Sequence, residues 1–227
     1  IRQNKLLSAA TVFFMAVSAM MLSLTALLCF SLFGSVNGLM EQARVPDLVQ
    51  MHSGELNEVQ IDQFVEEHQE IGQWQLCRIL SLDNSGVTLG SHSLLDSTQD
   101  NGLCVQNAEF DFLLGMDSKR LEVLSGQVYV PACYRARYNL SIGDTMQIGS
   151  KKLTIAGFLR DAQMNSMMAS SKRFLVSEWD YERLKASGEE EYLIEFLLKD
   201  GSDVNNLSTA YTQHGLPANG PAITKPL

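Results

Sequence analysis

Thirty-five consecutive residues near the start of the chain carry no charge. From Leu6 to Met40 there is no Asp, Glu, Lys or Arg. About 20 apolar residues are enough to cross the hydrocarbon of a bilayer as a helix, which satisfies its own backbone hydrogen bonds in lipid. A helix of the full length would extend roughly 52 Å, against roughly 30 Å of hydrocarbon. The pattern therefore predicts a transmembrane helix that continues beyond the membrane as a stalk.

Two other interpretations of this segment fit less well. A cleaved signal peptide has an apolar run of only about 7–15 residues and an A-x-A-like cleavage site. The present run is longer, and no such site is evident in it. A buried helix of a soluble protein rarely lacks charges over such a length. We therefore expect residues 1–40 to form the membrane helix and stalk, and residues 41–227 to form one exterior α+β domain.

The charges that flank the helix predict its orientation. Arg2 and Lys5 precede the apolar run, and Glu41 is the first charge after it. Because basic residues favour the cytoplasmic side, we expect a cytoplasmic N-terminus and a main domain that is extracellular or periplasmic in the cell membrane. The rest of the chain carries 15 basic and 26 acidic residues. This balance argues against nucleic acid and anionic lipid surfaces as partners of the domain, and suits either a cationic ligand or a solvated surface without a partner.

Small residues recur along one side of the predicted membrane helix. Ala9, Ala16, Ala19, Ser23 and Ala26 are spaced seven, three, four and three residues apart, so they share one helix face. Small residues let membrane helices approach closely. The face from Ala16 to Ala26 is therefore predicted to pack against another helix, although Ala and Ser are also common in spans that contact only membrane lipid.

The ends of the chain suggest that it is part of a longer protein. It begins at Ile1 without an initiator Met and finishes at Leu227 without a polar tail. We expect one span and the exterior domain that follows it.

The exterior part reads as alternating helices and strands. In its first half the pattern predicts a helix over 53–71, a strand over 74–82, and a turn at 83–86. Residues 87–89 are predicted to return as the second strand of a hairpin, and 91–102 to form a loop.

In the second half the predicted elements are strands over 127–130, 173–176 and 192–198, a hairpin of 145–148 with 153–159, and helices over 132–138, 177–186 and 203–214. Ser177 with Asp180 forms a capping box at the start of the second of these helices. Interleaved strands and helices predict one sheet with helices on a face.

Catalytic and metal-binding patterns are not evident. The four His residues, at positions 52, 68, 92 and 214, have no second ligand at metal spacing, and neither G-x-S-x-G nor H-E-x-x-H occurs. We therefore expect no cofactor, no metal and no catalytic residue.

The cysteines leave two alternatives open. Cys29 lies in the predicted membrane helix, so Cys77, Cys104 and Cys133 allow at most one intramolecular bridge. A bridge between Cys77 and Cys104 and three free thiols are both compatible with the sequence.

The connection from 157 to 173 is the most unusual stretch of the domain. It combines three Met residues, at 164, 167 and 168, with a set of polar side chains: Arg160, Asp161, Gln163, Asn165 and Lys172. Flexible Met side chains suit adaptable binding surfaces. We interpret these polar residues as a candidate contact for a substrate or partner. The alternative is an ordinary connection whose Met residues fill the core.

Three segments in a fixed order resemble a known family. QVYVP at 127–131, YNLSIGD at 138–144 and LTIAGF at 153–158 are similar to the exterior domain of MacB/FtsX-like ABC transporter permeases. That family shows a strand ending in "vp", a short helix, a "GD" turn and two further strands. Gly143 supplies the positive φ that a tight turn needs, and Asp144 can bond its own backbone there.

The resemblance implies a permease subunit with a mixed sheet and helices in its exterior domain, following the first span. It also implies a separate cytoplasmic ATPase subunit and a second permease copy or homologous permease as partners. Nucleotide-driven movement would pass along the stalk to the domain. The main alternative is the sensor ectodomain of a membrane receptor such as a histidine kinase; an anchored exterior enzyme is a weaker one.

Overall fold

The computed structural model describes residues 5–164, 170–220 and 222–225. The chain divides into two compact units, Ile1–Glu41 and Gln42–Leu227.

The first unit consists of a single apolar helix. Helix α1 spans Lys5–Ala43, so its last two residues belong to the second unit. Leu7–Ala43 is long and apolar enough to cross a membrane, and its most apolar window is entirely unburied. The hydroxyl groups of Ser23 and Thr25 each donate to a carbonyl four residues earlier, at 2.9 Å. These side chains therefore present no unsatisfied donor to lipid, whose core offers no acceptors.

The second unit is built on one mixed sheet. In the described part of the chain it has twelve strands: β1 Leu48–Ser53, β2 Ile71–Leu82, β3 Val87–Leu89, β4 His92–Ser93, β5 Asp100–Cys104, β6 Leu114–Gly115, β7 Gln127–Pro131, β8 Thr145–Ile148, β9 Lys151–Arg160, β10 Ser171–Val176, β11 Gly188–Leu198 and β12 Ile223–Thr224. Its helices are α2 Glu58–Glu67, α3 Ala132–Arg137, α4 Glu178–Leu184 and α5 Val204–Gln213. The predicted fold class, a long apolar helix followed by a mixed sheet with a few helices, is confirmed.

The strand order along the sheet is β12-β1-β11-β2-β5-β10-β7-β9-β8-β3-β4, with β6 paired to β9. Strand β5 runs parallel to β10, and β7 runs parallel to β9. The other strand pairs are antiparallel. The longest pairing joins β2 to β11, and these two strands form the centre of the first half of the sheet.

Helices cover one face of that half. Ile61 and Phe64 of α2 and Leu207 and Tyr211 of α5 pack against Phe196 and its neighbours on the sheet. Because side chains alternate along a strand, Leu193 and Glu195 of β11 lie on the opposite face. That second face is covered by the segments 105–123 and 161–164 instead of a helix, and it includes the candidate site.

The local predictions of the second half are confirmed. The hairpin of β8 and β9, the strand β7 followed by α3, and the helices α4 and α5 lie where the sequence places them, within a few residues. The Ser177 hydroxyl accepts from the Asp180 N–H at 3.1 Å, as the predicted helix start requires.

Three predictions of the first half are wrong. The helix is shorter than 53–71, and Leu48–Ser53 before it forms β1. Strand β3 pairs with β8 and β4 rather than returning along β2, because a 3-10 turn at Asn84–Gly86, capped by Asp83, redirects the chain. The loop predicted over 91–102 includes β4 and most of β5.

Candidate functional site

A buried cluster of charged side chains lies on the helix-free face of the sheet. The neighbouring strands β2 and β11 supply several of its members. Gln75 of β2 is directly opposite Glu195 of β11, and Cys77 of β2 is opposite Leu193 of β11. Arg173 comes from β10. The covering segments add Asp111 and Asp161.

Arg173 is the centre of this cluster. Its Nε donates to Asp161 Oδ2 at 2.7 Å and its Nη2 donates to Asp161 Oδ1 at 2.8 Å, a bidentate pair. Its Nη1 donates to Asp111 Oδ2. All three side chains are only 1% exposed. Charge-assisted bidentate bonds of this kind are strong and fix the geometry of both partners.

Burial and the paired charges act in opposite directions on these groups. Burial favours the neutral form of Asp161, but the Arg173 guanidinium outweighs it and lowers the pKa of that carboxyl below its ordinary value. Burial likewise opposes the charge on Arg173, and the carboxylates of Asp111 and Asp161 hold its pKa well above the ordinary value. Asp161 and Arg173 are therefore both charged at neutral pH.

Glu195 is the third acidic group of the cluster and has a different environment. Its Oε2 accepts from Gln75 Nε2 at 2.8 Å and from Asn107 Nδ2 at 3.4 Å. Its Oε1 is buried and has no hydrogen-bond partner among the described residues. Burial and the negative charge of Asp111 raise the pKa of Glu195 well above its ordinary value.

The spacing in the cluster is close enough for a metal ion. Cys77 Sγ and one oxygen each of Asp111 and Glu195 lie within 4.8 Å of one another. However, Arg173 Nη1 lies 3.8 Å from that sulfur and donates to the Asp111 carboxylate. The guanidinium cation therefore already contacts two of the three groups. Burial raises the pKa of the Cys77 thiol well above its ordinary value, which disfavours the thiolate that a metal requires. The cluster therefore fits a guanidinium rather than a metal.

The same cluster is connected to the end of helix α1 within the second unit. The Ala43 carbonyl accepts from the Phe112 N–H at 2.7 Å, and the Arg44 carbonyl accepts from the Asp111 N–H at 3.0 Å. The Arg44 side chain donates to the Glu109 carbonyl at 2.5 Å and to Gln73 Oε1 at 2.9 Å. The last carbonyls of a helix have no partner inside it. Here the segment that holds Asp111 supplies the partners.

The candidate contact residues are dispersed. Asp161 belongs to the buried cluster, and Gln163 Nε2 donates to Asp111 Oδ1 at 2.8 Å. Arg160 bonds Ser118 and the Gly115 carbonyl, and Lys172 is buried. Asn165 lies outside the described residues. The structure brings Asp161 and Gln163 together around Asp111, and the contact with a substrate or partner remains a prediction.

The other predicted positions are also located. The side chains of Ala16, Ala19, Ser23 and Ala26 are exposed on α1, so they are available for the proposed helix packing, which stays a prediction. The four cysteines are free, so of the two alternatives the unbridged one is observed. Cys77 and Cys104 are both buried in the second face of the sheet.

Sequence reasoning missed Arg173, Asp111 and Glu195 as members of a site. A signal was present for one of them: Glu195 is a single acid inside the apolar run YLIEFLL. An ionisable residue in a strand buried on both faces usually has a specific partner. Asp111 gave no such signal, because it lies in an irregular segment with a left-handed backbone, φ +50°.

Several solved structures are distantly similar to this chain, and two of them are described here. The periplasmic region of MacB from Actinobacillus actinomycetemcomitans is 12% identical, with a TM-score of 0.41, over 82% of this chain and 94% of that one. A putative lipoprotein from Bacillus anthracis is 10% identical, with a TM-score of 0.43, over 79% of this chain and 97% of that one. No protein-family model and no curated protein matches the sequence.

Proposed function

We propose that the chain is the first span and exterior domain of a MacB/FtsX-like ABC transporter permease. In this proposal a separate cytoplasmic ATPase binds nucleotide, and the domain of residues 41–227 handles or helps to export a substrate outside the cell membrane. The domain itself hydrolyses nothing and needs no cofactor. The partners are the ATPase, a second permease copy or a homologous permease, and membrane lipid.

The observation that carries this proposal is the way the three family-like segments fold as one unit. Strand β7 ends at Pro131, α3 follows directly, and β9 then returns parallel to β7. Between them Gly143 has φ +96°, and Asp144 Oδ2 accepts from the Ser141 N–H at 2.8 Å. The glycine and the aspartate of the motif therefore have the roles in the turn that the resemblance implies for them.

The first strand of the domain, β1, pairs with β12, the last described strand. Strand β1 begins five residues after α1 ends, and β12 runs antiparallel beside it, with Leu48 opposite Thr224. The entry to the domain and the last described strand are therefore neighbours.

The proposed mechanism is transmission of displacement along α1. A continuous helix transmits a displacement that a flexible loop would absorb. At its end the carbonyls of Ala43 and Arg44 are held by the segment of Asp111, which is bonded in turn to Arg173 and Gln163. Movement of the helix end would thus reach β10 and the connection at 161–164 without a flexible link.

The proposal is tested with the complete gene and the ATPase encoded beside it. A Gly-Ser segment inserted near Gly38 should uncouple transport from ATP hydrolysis and leave the ATPase active, because Gly is already a weak point of a helix. The matched control is the same insertion at Gly149, in the turn between β8 and β9. Equal transport in both variants would reject the mechanism.

The family assignment has its own test. A gene that continues beyond Leu227 with further spans and lies beside an ATPase gene supports the permease. One further span followed by a kinase module would replace it with the receptor ectodomain.

A further inference from the structure

Glu195 Oε1 is a buried acceptor without a donor among the described residues. The Glu195 residue is 0% exposed, so its carboxyl is shielded from bulk solvent. Its other oxygen is satisfied by Gln75 and Asn107. A buried polar atom that lacks a partner is destabilising, and a buried negative charge that lacks one is more so. The state of this carboxyl therefore needs a physical explanation.

The groups that face Glu195 come from every element packed against it. Strand β2 contributes Gln75 and Cys77, β5 contributes Cys104, β10 contributes Arg173, and the covering segments contribute Asn107 and Asp111. Arg173 is the cation of this set, and its donors point to Asp111 and Asp161. An ionised Glu195 would thus add a third carboxylate to a site with one guanidinium.

We propose that Glu195 is held as a neutral carboxylic acid whose Oε1 hydroxyl donates a hydrogen bond to the Asp111 carboxylate. This arrangement satisfies Oε1, which becomes a donor, and leaves the cluster one negative charge fewer. Burial and the charge of Asp111 both favour the proton on Glu195. The bond is of the short, charge-assisted O–H···O⁻ type.

The consequence is that Glu195 acts as a positioning residue for the end of helix α1. Its proton helps to hold Asp111 in place. The Asp111 N–H donates to the Arg44 carbonyl, and the Phe112 N–H donates to the Ala43 carbonyl. The Glu195 carboxyl thus acts through Asp111 on the hydrogen bonds at the end of α1, in which it does not itself take part. This inference does not depend on the permease assignment.

Infrared spectroscopy of the 227-residue chain in detergent micelles tests the proton directly. At pH 7 an ordinary Glu, with a pKa of about 4.3, is ionised. The wild-type chain should nevertheless show the C=O stretch of a protonated carboxylic acid. The band should vanish in Glu195→Gln and persist in Glu189→Gln, which alters an exposed acid of the same strand. A wild-type spectrum without the band, or a band that survives Glu195→Gln, overturns the proposal.

Hydrogen exchange at the Asp111 and Phe112 amides tests the positioning role. Glu195→Gln keeps an N–H donor toward Asp111 and should retain the protection of both amides. Glu195→Ala removes the donor, and exchange at both should be roughly tenfold faster or more, as expected for loss of a bond to a charged group. Equal protection in all three chains would refute the role. If the wild-type chain bound one equivalent of metal and Glu195→Gln bound none, the cluster would hold a metal ion instead of the proposed proton, and the proposal would be wrong.

Discussion

Replacing Arg173 by Met should strongly destabilise the exterior domain. The substitution removes the guanidinium that faces both Asp111 and Asp161, and each of the three side chains is only 1% exposed. Removing one partner of a buried ion pair costs about 3–5 kcal/mol, because the charge left behind is desolvated and uncompensated. Two carboxylates are stranded here, so we expect the loss in unfolding free energy to fall at the upper end of that range.

The matched control is Arg78→Met. Arg78 also pairs with acids, Glu178 at 2.6 Å, Glu182 at 3.1 Å and Glu190 at 4.0 Å, but its side chain is 37% exposed. Exposed pairs contribute about 0.2–1 kcal/mol, because water and salt screen them. The two substitutions remove the same guanidinium from a group of carboxylates, and they differ mainly in burial.

A compensated variant separates stranded charge from lost packing. Changing Asp111 and Asp161 to Asn together with Arg173→Met removes all three charges, and a buried ion group replaced as a whole by neutral residues is often close to neutral in stability. The amide oxygen introduced by Asp161→Asn can still accept from the N–H groups of Gln163 and Met164, which now bond Asp161 Oδ1 at 2.9 Å. The triple variant should therefore recover most of the loss.

The assay is denaturant unfolding of the 227-residue chain in mild detergent, followed by the fluorescence of the half-buried Trp74. The free energies of wild type, both single variants and the triple variant are compared at pH 7. Equal losses for the Arg173 and Arg78 substitutions would refute the argument from burial. A triple variant that is less stable than Arg173→Met would refute the argument from stranded charge.

Three further predictions concern other parts of the chain. Because the pKa of Glu195 is raised, the folded state holds a proton that the unfolded chain releases above about pH 4.3. The free energy of unfolding should therefore fall with rising pH, by up to about 1.4 kcal/mol per pH unit, until the folded pKa is passed. Glu195→Gln should flatten this slope in thermal unfolding measured from pH 5 to 9, and an unchanged slope would exclude Glu195 as its source. Gly102→Ala should lower the unfolding free energy by about 1–3 kcal/mol, because the new Cβ would lie 2.3 Å from Ile79 Cγ2. In the control Gly86→Ala the new Cβ meets nothing within 4 Å, so this variant should be tolerated. Equal denaturation midpoints of the two variants would contradict the close approach of β5 to β2. Ala19→Leu should reduce co-purification with a partner permease more than Met21→Ala, because Met21 is two residues from Ala19 and lies on the opposite face of α1; equal tolerance would refute the small-residue packing face.

The parts of the fold that sequence predicts well are those with local signals. The hairpin of β8 and β9 has alternating strands around a glycine turn, and α4 has its capping serine at Ser177. Both features are decided by residues within a few positions of each other. The fold class follows from them, because interleaved helices and strands leave few architectures.

The wrong predictions concern pairing between distant segments. Strand β5 reads DNGLC, which lacks the β-branched residues that mark a strand, yet it lies between β2 and β10. Gly102 makes that position possible, since a side chain there would collide with Ile79. Only the packed sheet shows that this glycine serves close strand pairing and not a loop.

The candidate site illustrates the same difference for function. Asp161 is an acid in a Met-rich connection, a pattern that favours a surface contact, but the structure places it under the sheet with both carboxylate oxygens engaged. Its Oδ1 holds the N–H groups of Gln163 and Met164, and so fixes the start of the connection whose surface was predicted to bind.

In the proposed function, the contact with a substrate or partner and the coupling to α1 would then belong to different residues of the connection from 157 to 173. Gln163, half-buried, bonds Asp111, and Asp111 bonds Arg173 and the end of α1. A displacement of the helix end that shifts Asp111 must therefore break its bonds to Arg173 and Gln163 or move β10 and the connection at 161–164 with it. Buried charge-assisted bonds are costly to break, so the second outcome is favoured. Within the second unit, the cluster thus joins the residues at the end of α1 to β10 and to the connection at 161–164.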